Sequence, residues 1–506
     1  MICDKVKTSP DVPIFFIRNL ETPAGTDPAN FLRQLNMSRE TIYALGRNMV
    51  FIVSPAFARL FMLHAKDLFS WIPQRFTFEG GAVVTPREFA QSMQMDERVR
   101  FRGDRDRAYL KELIALCKEQ LRNAPDNAQF RIENIIKPLA SLYEENDDFG
   151  KEVLLREEIK DFYKDPDERY ANALIYLGNA YTKLPTGDRA KNLKKAIDAY
   201  REALTIYTID ALPVQYAMTI NNLGEVYRNM PTGDRAENLK KAIDAYHEAL
   251  KIYTIEAFQV QYATTMNNLG NAYQDLPTGD RAENLKKAMD AYREALKIRT
   301  IDAFPVQYAM TMNNLGNAYQ GLPTGDRAEN LQKAIDAYRE ALKIYTIEAF
   351  PVEYAMTMNN LGIVYRNFPT GDHAENLQKA IDAYREALKI YTIEAFPVDY
   401  ATTVNNLGIA YQDLPTGDCA ENLEKAIDAY REALKIRTID AFPVNYAMTM
   451  NNLGIAYKNL PTGDRAENLK KAIDAYREAL KILTVEAFPR EHAMVKGNLD
   501  KLLKKA

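Results

Sequence analysis

The sequence predicts a mostly α protein: a right-handed α-solenoid of two-helix repeats, preceded by a small α/β domain at residues 1–100. Three observations lead there. Gly178, Gly224, Gly270, Gly316, Gly362, Gly408 and Gly454 recur at a fixed spacing of 46 residues. The same words surround each, in the third copy Thr265-Met266-Asn267-Asn268-Leu269-Gly270-Asn271-Ala272-Tyr273 followed by Pro277-Thr278-Gly279-Asp280-Arg281-Ala282-Glu283-Asn284-Leu285. The first hundred residues lack those words and alternate strand-length apolar runs with helical spacing. A period of this length marks a solenoid, in which each unit buries its apolar face only against its neighbours.

In residues 1–100, Val12 to Ile17 and Met49 to Val53 have strand length and composition. Phe31 to Leu45 and Phe57 to Phe69 have helical spacing, so the order is that of a parallel sheet with crossover helices. The words Phe15-Phe16-Ile17-Arg18-Asn19-Leu20-Glu21, Leu35-Asn36-Met37-Ser38-Arg39-Glu40, Val50-Phe51-Ile52-Val53 and Ala65-Lys66-Asp67-Leu68-Phe69-Ser70-Trp71 are specific. They resemble the later half of NTPase-like domains found ahead of repeat arrays in bacterial STAND-type signal-transduction ATPases. The resemblance implies that Glu21 ends the Walker B strand and that Val50 to Val53 form the next strand. A phosphate-cradling Gly-x-x-x-x-Gly-Lys-Ser/Thr loop occurs nowhere in the 506 residues. The segment therefore reads as a remnant or adaptor that does not hydrolyse ATP.

Residues 101–166 read as a helical junction and cap. Asp96 to Arg107 mixes both signs of charge, the pattern of a solvated linker. Tyr109 to Leu121, Ile132 to Tyr143 and Gly150 to Phe162 then carry helical periodicity, closing the end of the stack that has no identical neighbour.

Residues 167–488 hold seven repeats. In the third, the first helix is expected from about Val260 to Gln274, apolar at Tyr262, Met266, Leu269 and Tyr273. Pro277-Thr278-Gly279 makes the turn. Asp280 is the N-cap of the second helix, and Glu283 would complete a capping box. Pro305 opens the next unit, because proline is tolerated in a first helical turn. Gly270 and Ala288 are small where the helices cross, with Tyr273 and Tyr292 filling the space beside them. Residues 489–506 read as a cap helix, with Asp500 where the repeats place their glycine.

The repeat words resemble the tetratricopeptide repeat: Met266, Leu269, Gly270 and Tyr273 of the first helix and Ala288, Tyr292 and Ala295 of the second match that family in type and spacing. The unit exceeds the family's usual length of about 34 residues, and is closest to the long variants resembling kinesin light chain repeats. The resemblance implies that the first helices line a concave groove that binds peptides.

On these helices asparagines recur off the packing face. They are Asn221, Asn222, Asn267, Asn268, Asn271, Asn313, Asn314, Asn317, Asn359, Asn360, Asn405, Asn406, Asn451 and Asn452, candidates for the groove. An amide both donates and accepts, so it can hold a ligand's backbone; alternatively the ladder bonds between repeats and sets their pitch. One groove position runs Asn179, Glu225, Asn271, Asn317, Ile363, Ile409, Ile455, turning from polar to apolar along the chain.

Composition narrows the function. Lys plus Arg is 65 against 69 for Asp plus Glu, so no basic field draws in nucleic acid or anionic membrane. No apolar run reaches the roughly 18 residues that span a bilayer. Cys3, Cys117 and Cys419 lie far apart, and no secretory pattern opens the sequence, which leads to the expectation of a cytoplasmic protein. His247 and His373 stand where sister copies carry Arg, as surface variants. No catalytic, cofactor-binding or metal-ligating pattern is found. The reading is a non-enzymatic scaffold that binds a protein or peptide partner in the groove. The alternative is the sensor arm of a STAND-type signalling or defence ATPase lacking its own phosphate loop.

Overall fold

The structure, a computed structural model, describes residues 104–504 and, ahead of them, the backbone of five short strands. These are β1 (Cys3–Val6), β2 (Ile14–Ile17), β3 (Asn48–Phe51), β4 (Phe76–Thr77) and β5 (Val83–Val84). β1 pairs antiparallel with β2, β2 parallel with β3, and β4 antiparallel with β5. The helices expected at Phe31 to Leu45 and Phe57 to Phe69, and most of the words resembling an NTPase-like domain, lie outside the described residues. The α/β domain therefore stays an expectation. The chain divides into two units, Met1–Tyr109 and Leu110–Ala506, and the second holds the repeats.

Helices α1 (Asp104–Asn123), α2 (Ala128–Arg131), α3 (Lys137–Glu145) and α4 (Phe149–Phe162) lead into the repeats. A π-helical turn, Ile132–Ile136, joins α2 to α3 and buries Ile132, Ile135 and Ile136. Glu152 and Arg156 of α4 are both buried, their side chains 3.5 Å apart, and Arg156 also reaches Glu144 at 3.5 Å. The Arg156 guanidinium lies 4.7 Å from the ring of Tyr176 in the first repeat, a cation–π contact across the joint.

Seven helix pairs come next among the described residues: α5 (Glu168–Lys183) with α6 (Arg189–Ala203), α7 (Pro213–Asn229) with α8 (Arg235–Leu250), α9 (Gln259–Asp275) with α10 (Arg281–Leu296), α11 (Pro305–Gly321) with α12 (Arg327–Leu342), α13 (Pro351–Arg366) with α14 (His373–Leu388), α15 (Pro397–Asp413) with α16 (Cys419–Leu434), and α17 (Pro443–Asn459) with α18 (Arg465–Leu480). α19 (Pro489–Leu503) closes the array. Each helix packs on its partner and on the next unit, the successive pairing of an α-solenoid.

Local chemistry accounts for the hairpin. Asp280 accepts the Glu283 N–H at 2.8 Å and so caps α10. Gly279 holds φ at +84°, a left-handed conformation that favours glycine, and Asn284 ties the turn by donating to the Thr278 carbonyl at 2.9 Å. The expected capping box forms only in half: the Glu283 carboxylate pairs instead with Lys287 one turn on, at 2.8 Å.

Where the two helices cross, the Tyr292 ring lies directly over Gly270. A Cβ on Gly270 would stand 2.5 Å from Tyr292 Cε1. Tyr292 is fully buried, whereas Tyr273, expected beside it, is half-buried at the edge. The position of Tyr273 serves the joint between repeats: the Tyr319 hydroxyl accepts from Arg293 of the preceding second helix at 2.9 Å, and Tyr365 from Arg339 at 3.0 Å. His247 takes the arginine's place opposite Tyr273, at 3.0 Å.

Two substitutions test this packing. Gly270→Ala drives a methyl into a ring that has no room to move, so a loss of about 1–3 kcal/mol is expected in urea denaturation. Gly321→Ala, whose new Cβ would meet Leu285 at an ordinary 3.6 Å, is expected to leave the midpoint unchanged or raise it slightly. Burial, with the Glu144 charge second, pushes the Glu152 carboxyl from 4.5 up to about 7. A carboxyl whose folded pKa is raised favours the folded state when protonated, and that contribution fades as pH rises from about 4.5 through about 7. Thermal melts of the wild type should therefore fall between pH 5 and pH 8 more steeply than those of Glu152→Gln.

Candidate functional site

The first helices of the repeats lie side by side as one layer, bonded through their asparagines. Positions four and three residues apart share a helix face. On α13 that rule lines up Val352, Met356, Asn359, Ile363 and Arg366. Val352 and Met356 are exposed, and the other three are partly so. Val214 and Met218 on α7, Val398 on α15 and Val444 on α17 repeat the exposed apolar positions. Sequence reading passed over this stripe. Its signal was the recurrence of an outward Val four residues before Met or Thr, hidden because a helix entry rich in apolar residues reads as core.

The asparagines divide into two classes. The first of each Asn-Asn pair meets the neighbouring first helix. Asn267, Asn313, Asn405 and Asn451 are buried, the first only 1% exposed, while Asn221 and Asn359 are partly buried. The hydroxyl of a threonine on the next first helix meets each of five: Thr265 at Asn221 (3.1 Å), Thr311 at Asn267 (3.2 Å), Thr357 at Asn313 (3.3 Å), Thr403 at Asn359 (3.2 Å) and Thr449 at Asn405 (3.2 Å). Asn451 accepts from Asn498 of the cap helix at 3.3 Å. These residues form the ladder that sets repeat pitch. The buried four are corrected from groove contacts to structural ones, because a ligand cannot reach an amide enclosed by the neighbouring helix.

The second asparagines, Asn222, Asn268, Asn314, Asn360, Asn406 and Asn452, are half-buried and keep an open edge. Asn222 donates to Asn179 and Asn360 to Asn317, each at 3.2 Å, and Asn314 donates to Asn267 at 3.3 Å, so half of this row also spans repeats. Asn271 and Asn317 stand one residue after the crossing glycine and accept the hydroxyls of Tyr292 (2.8 Å) and Tyr338 (2.6 Å). The tyrosine that fills the crossing thus delivers its hydroxyl to the face of the first helix. Burial pushes the phenols of this row far above their ordinary range, so they stay protonated donors.

Buried arginines replace two core tyrosines. Arg299 donates to Thr311 and Thr264, and Arg437 to Thr449 and Thr402, at 3.0 to 3.1 Å. Thr264 and Thr402 stand where most sister repeats carry methionine, so the shorter side chain admits the guanidinium. Among the described residues no group of His, Cys, Asp or Glu could hold a metal, and no helix is long and apolar enough to cross a membrane.

Residues 263–302 and 309–345 match the tetratricopeptide repeat family model. The matched residues are tetratricopeptide repeats. The same words stand in register in the other helix pairs, and the tetratricopeptide hairpin geometry recurs in each. No curated relative matches the chain. Among solved structures the chain is similar to BtubC (BKLC) from P. vanneervenii, with 22% identity, a TM-score of 0.35, and coverage of 48% of this chain and 90% of that one. It is similar also to the apo form of RapI, at 17% identity and TM-score 0.43, covering 74% and 99%. Yeast Tom70 shows 14% identity and TM-score 0.36, covering 94% and 86%.

The two classes of asparagine in these tetratricopeptide repeats separate experimentally. Asn267→Ala leaves the Asn314 amide and the Thr311 hydroxyl without their shared acceptor, and a loss of about 1–2 kcal/mol in urea denaturation is expected. Asn268→Ala, at the half-open neighbouring position, should hold the wild-type midpoint.

Proposed function

We propose that this protein is a non-enzymatic interaction scaffold that binds an extended polypeptide along the face of its first helices. One observation carries the reading: the exposed Val352, Met356 and Val398 share a layer with half-open asparagines, and the same stripe runs through successive repeats. Exposed apolar side chains in a continuous row, rimmed by amides, suit a partner that offers both side chains and backbone. The groove asparagines that remain candidates are Asn221, Asn222, Asn268, Asn314, Asn359, Asn360, Asn406 and Asn452. Asn271 and Asn317 act by positioning tyrosine hydroxyls. The alternative, a sensor arm of a STAND-type ATPase, rests on residues outside the described ones, and no observation favours it.

Random dodecamer peptides displayed against the full chain test the proposal. Peptides selected on the wild type should lose at least tenfold in affinity for the Met356→Glu, Val398→Glu double variant, with the melting temperature held. Equal binding to wild type and variant, with loss instead on substituting outer second-helix residues such as Lys379 and Lys425, would overturn it.

A further inference from the structure

The joint between the cap hairpin α3/α4 and the first repeat is built differently from the joints between repeats. Leu139, Ala140 and Tyr143 of α3 stand in register with Leu177, Gly178 and Tyr181 of α5. That alignment puts Lys137 at the place of the first asparagine and Ser141 at the place of Asn271. Ala173 of α5 holds the place of the rung threonines Thr265 and Thr311. Alanine has no hydroxyl and lysine no acceptor, so this pair cannot form a rung. Lys137 turns back instead to Glu133 of the π-helical turn, at 2.8 Å. Arg156 takes the part of the crossing tyrosine and donates to the Ser141 hydroxyl at 3.3 Å, as Tyr292 does to Asn271.

A cavity of about 500 Å³ opens in this joint. Pro138, Ile159 and Ala173 give it an apolar side, while Lys137, Arg156 and Arg169 bring three cations against the single carboxylate of Glu133. Arg156 is only 4% exposed, yet its Nη1 makes no hydrogen bond among the described residues, since Nε meets Glu152 and Nη2 meets Glu144 and Ser141. Its charge is incompletely answered. Burial pushes the Glu152 carboxyl up to about 7, so that group is partly protonated at neutral pH, and Glu144 is shared with Lys183. Arg169 and Lys137 hold Asp167 and Glu133 through pairs open to water, which are easily exchanged. The Arg156 guanidinium lies over the Tyr176 ring at 4.7 Å, and that ring, which also lines the cavity, is 47% exposed.

A concave site with a few convergent cations, an aromatic wall and an apolar side suits a small amphipathic ligand of negative charge. We infer that this cavity binds a small organic anion, its oxyanion head held by Arg156 and Arg169 and its planar apolar body laid against Tyr176. Lys137 adds a third donor, and Pro138 and Ile159 meet the body of the ligand. Carboxylate and phosphate heads share this chemistry. The site is made by the cap and the first repeat, and it does not depend on the groove proposed along the later repeats.

Titration of the full chain with phenyl phosphate, benzoate, inorganic phosphate and benzyl alcohol, read by ligand-observed NMR, tests the inference. Phenyl phosphate or benzoate should bind saturably, and the better of the two identifies the head group. Inorganic phosphate and benzyl alcohol each offer half of the recognised chemistry and should bind at least about tenfold more weakly. Arg169→Gln and Tyr176→Asn install the residues that sister repeats carry in register, Gln215 and Asn222, so both variants should fold with the wild-type melting temperature. Each should weaken the better probe about tenfold, while Lys379→Gln on an outer second helix stays within about twofold. Absence of saturable binding by both aromatic anions, equal binding of inorganic phosphate or benzyl alcohol, full affinity on either cavity variant, or an equal loss on Lys379→Gln would overturn the inference. The groove, read by peptide display, would be untouched by any of these.

Discussion

The passage of one tyrosine ring beneath one glycine decides most of this structure. Tyr292 over Gly270, and its counterparts in the other six pairs, bring the two helices of a unit closer than any side chain on the first would permit. Close approach buries the ring completely, and burying so large a group contributes on the order of 1.5–3 kcal/mol. It also transmits a polar atom through the core. The ring starts on the second helix and its hydroxyl ends on the first, one residue past the glycine, where Asn271 accepts it. One contact thus sets the crossing and chooses which polar group appears on the inner layer.

A second set of interactions makes the units into an array. Apolar burial alone would let neighbouring hairpins slide, since Leu and Ala surfaces are tolerant of small shifts. The asparagine–threonine rungs and the arginine–tyrosine bonds are directional, and each joins one unit to the next. The buried rung is worth more than an exposed one because an unmet amide inside the layer has no water to turn to. Pitch is thereby fixed by atoms that a ligand cannot reach, and the half-open row beside them keeps an exposed edge.

How much of this the sequence disclosed depends on the range of each interaction. Helix starts, the Asp caps, the proline entries and the glycine at the crossing depend on residues within one unit, and those were legible. The third first helix, expected from about Val260 to Gln274, runs Gln259–Asp275. The two asparagines of each pair looked alike because they differ only in which face the next unit covers. Tyr273 was misplaced for the same reason, its partner being a residue of the preceding unit. Glu283 missed its capping role because a lysine one turn later competes for the carboxylate, which a local pattern does not weigh. The exposed Val and Met stripe escaped notice because an apolar residue on an amphipathic helix is normally assigned to the core.

The near-identity of the copies sharpens the meaning of their exceptions. Where the structural words repeat without change, a substitution survives only at a position that packing does not govern or alongside a compensating change. Arg299 and Arg437 are of the compensated kind: each enters the core only in a unit where threonine has replaced methionine and can accept its N–H groups. Ile363 is different. It stands where earlier units place an Asn that accepts the tyrosine hydroxyl or a Glu whose charge lies near it, and no residue of the protein has taken over that part. A compensated core change keeps the packing between units, whereas a change at the inner layer alters which side chains that face presents and leaves the crossing of Gly362 and Tyr384 as it is in the other units.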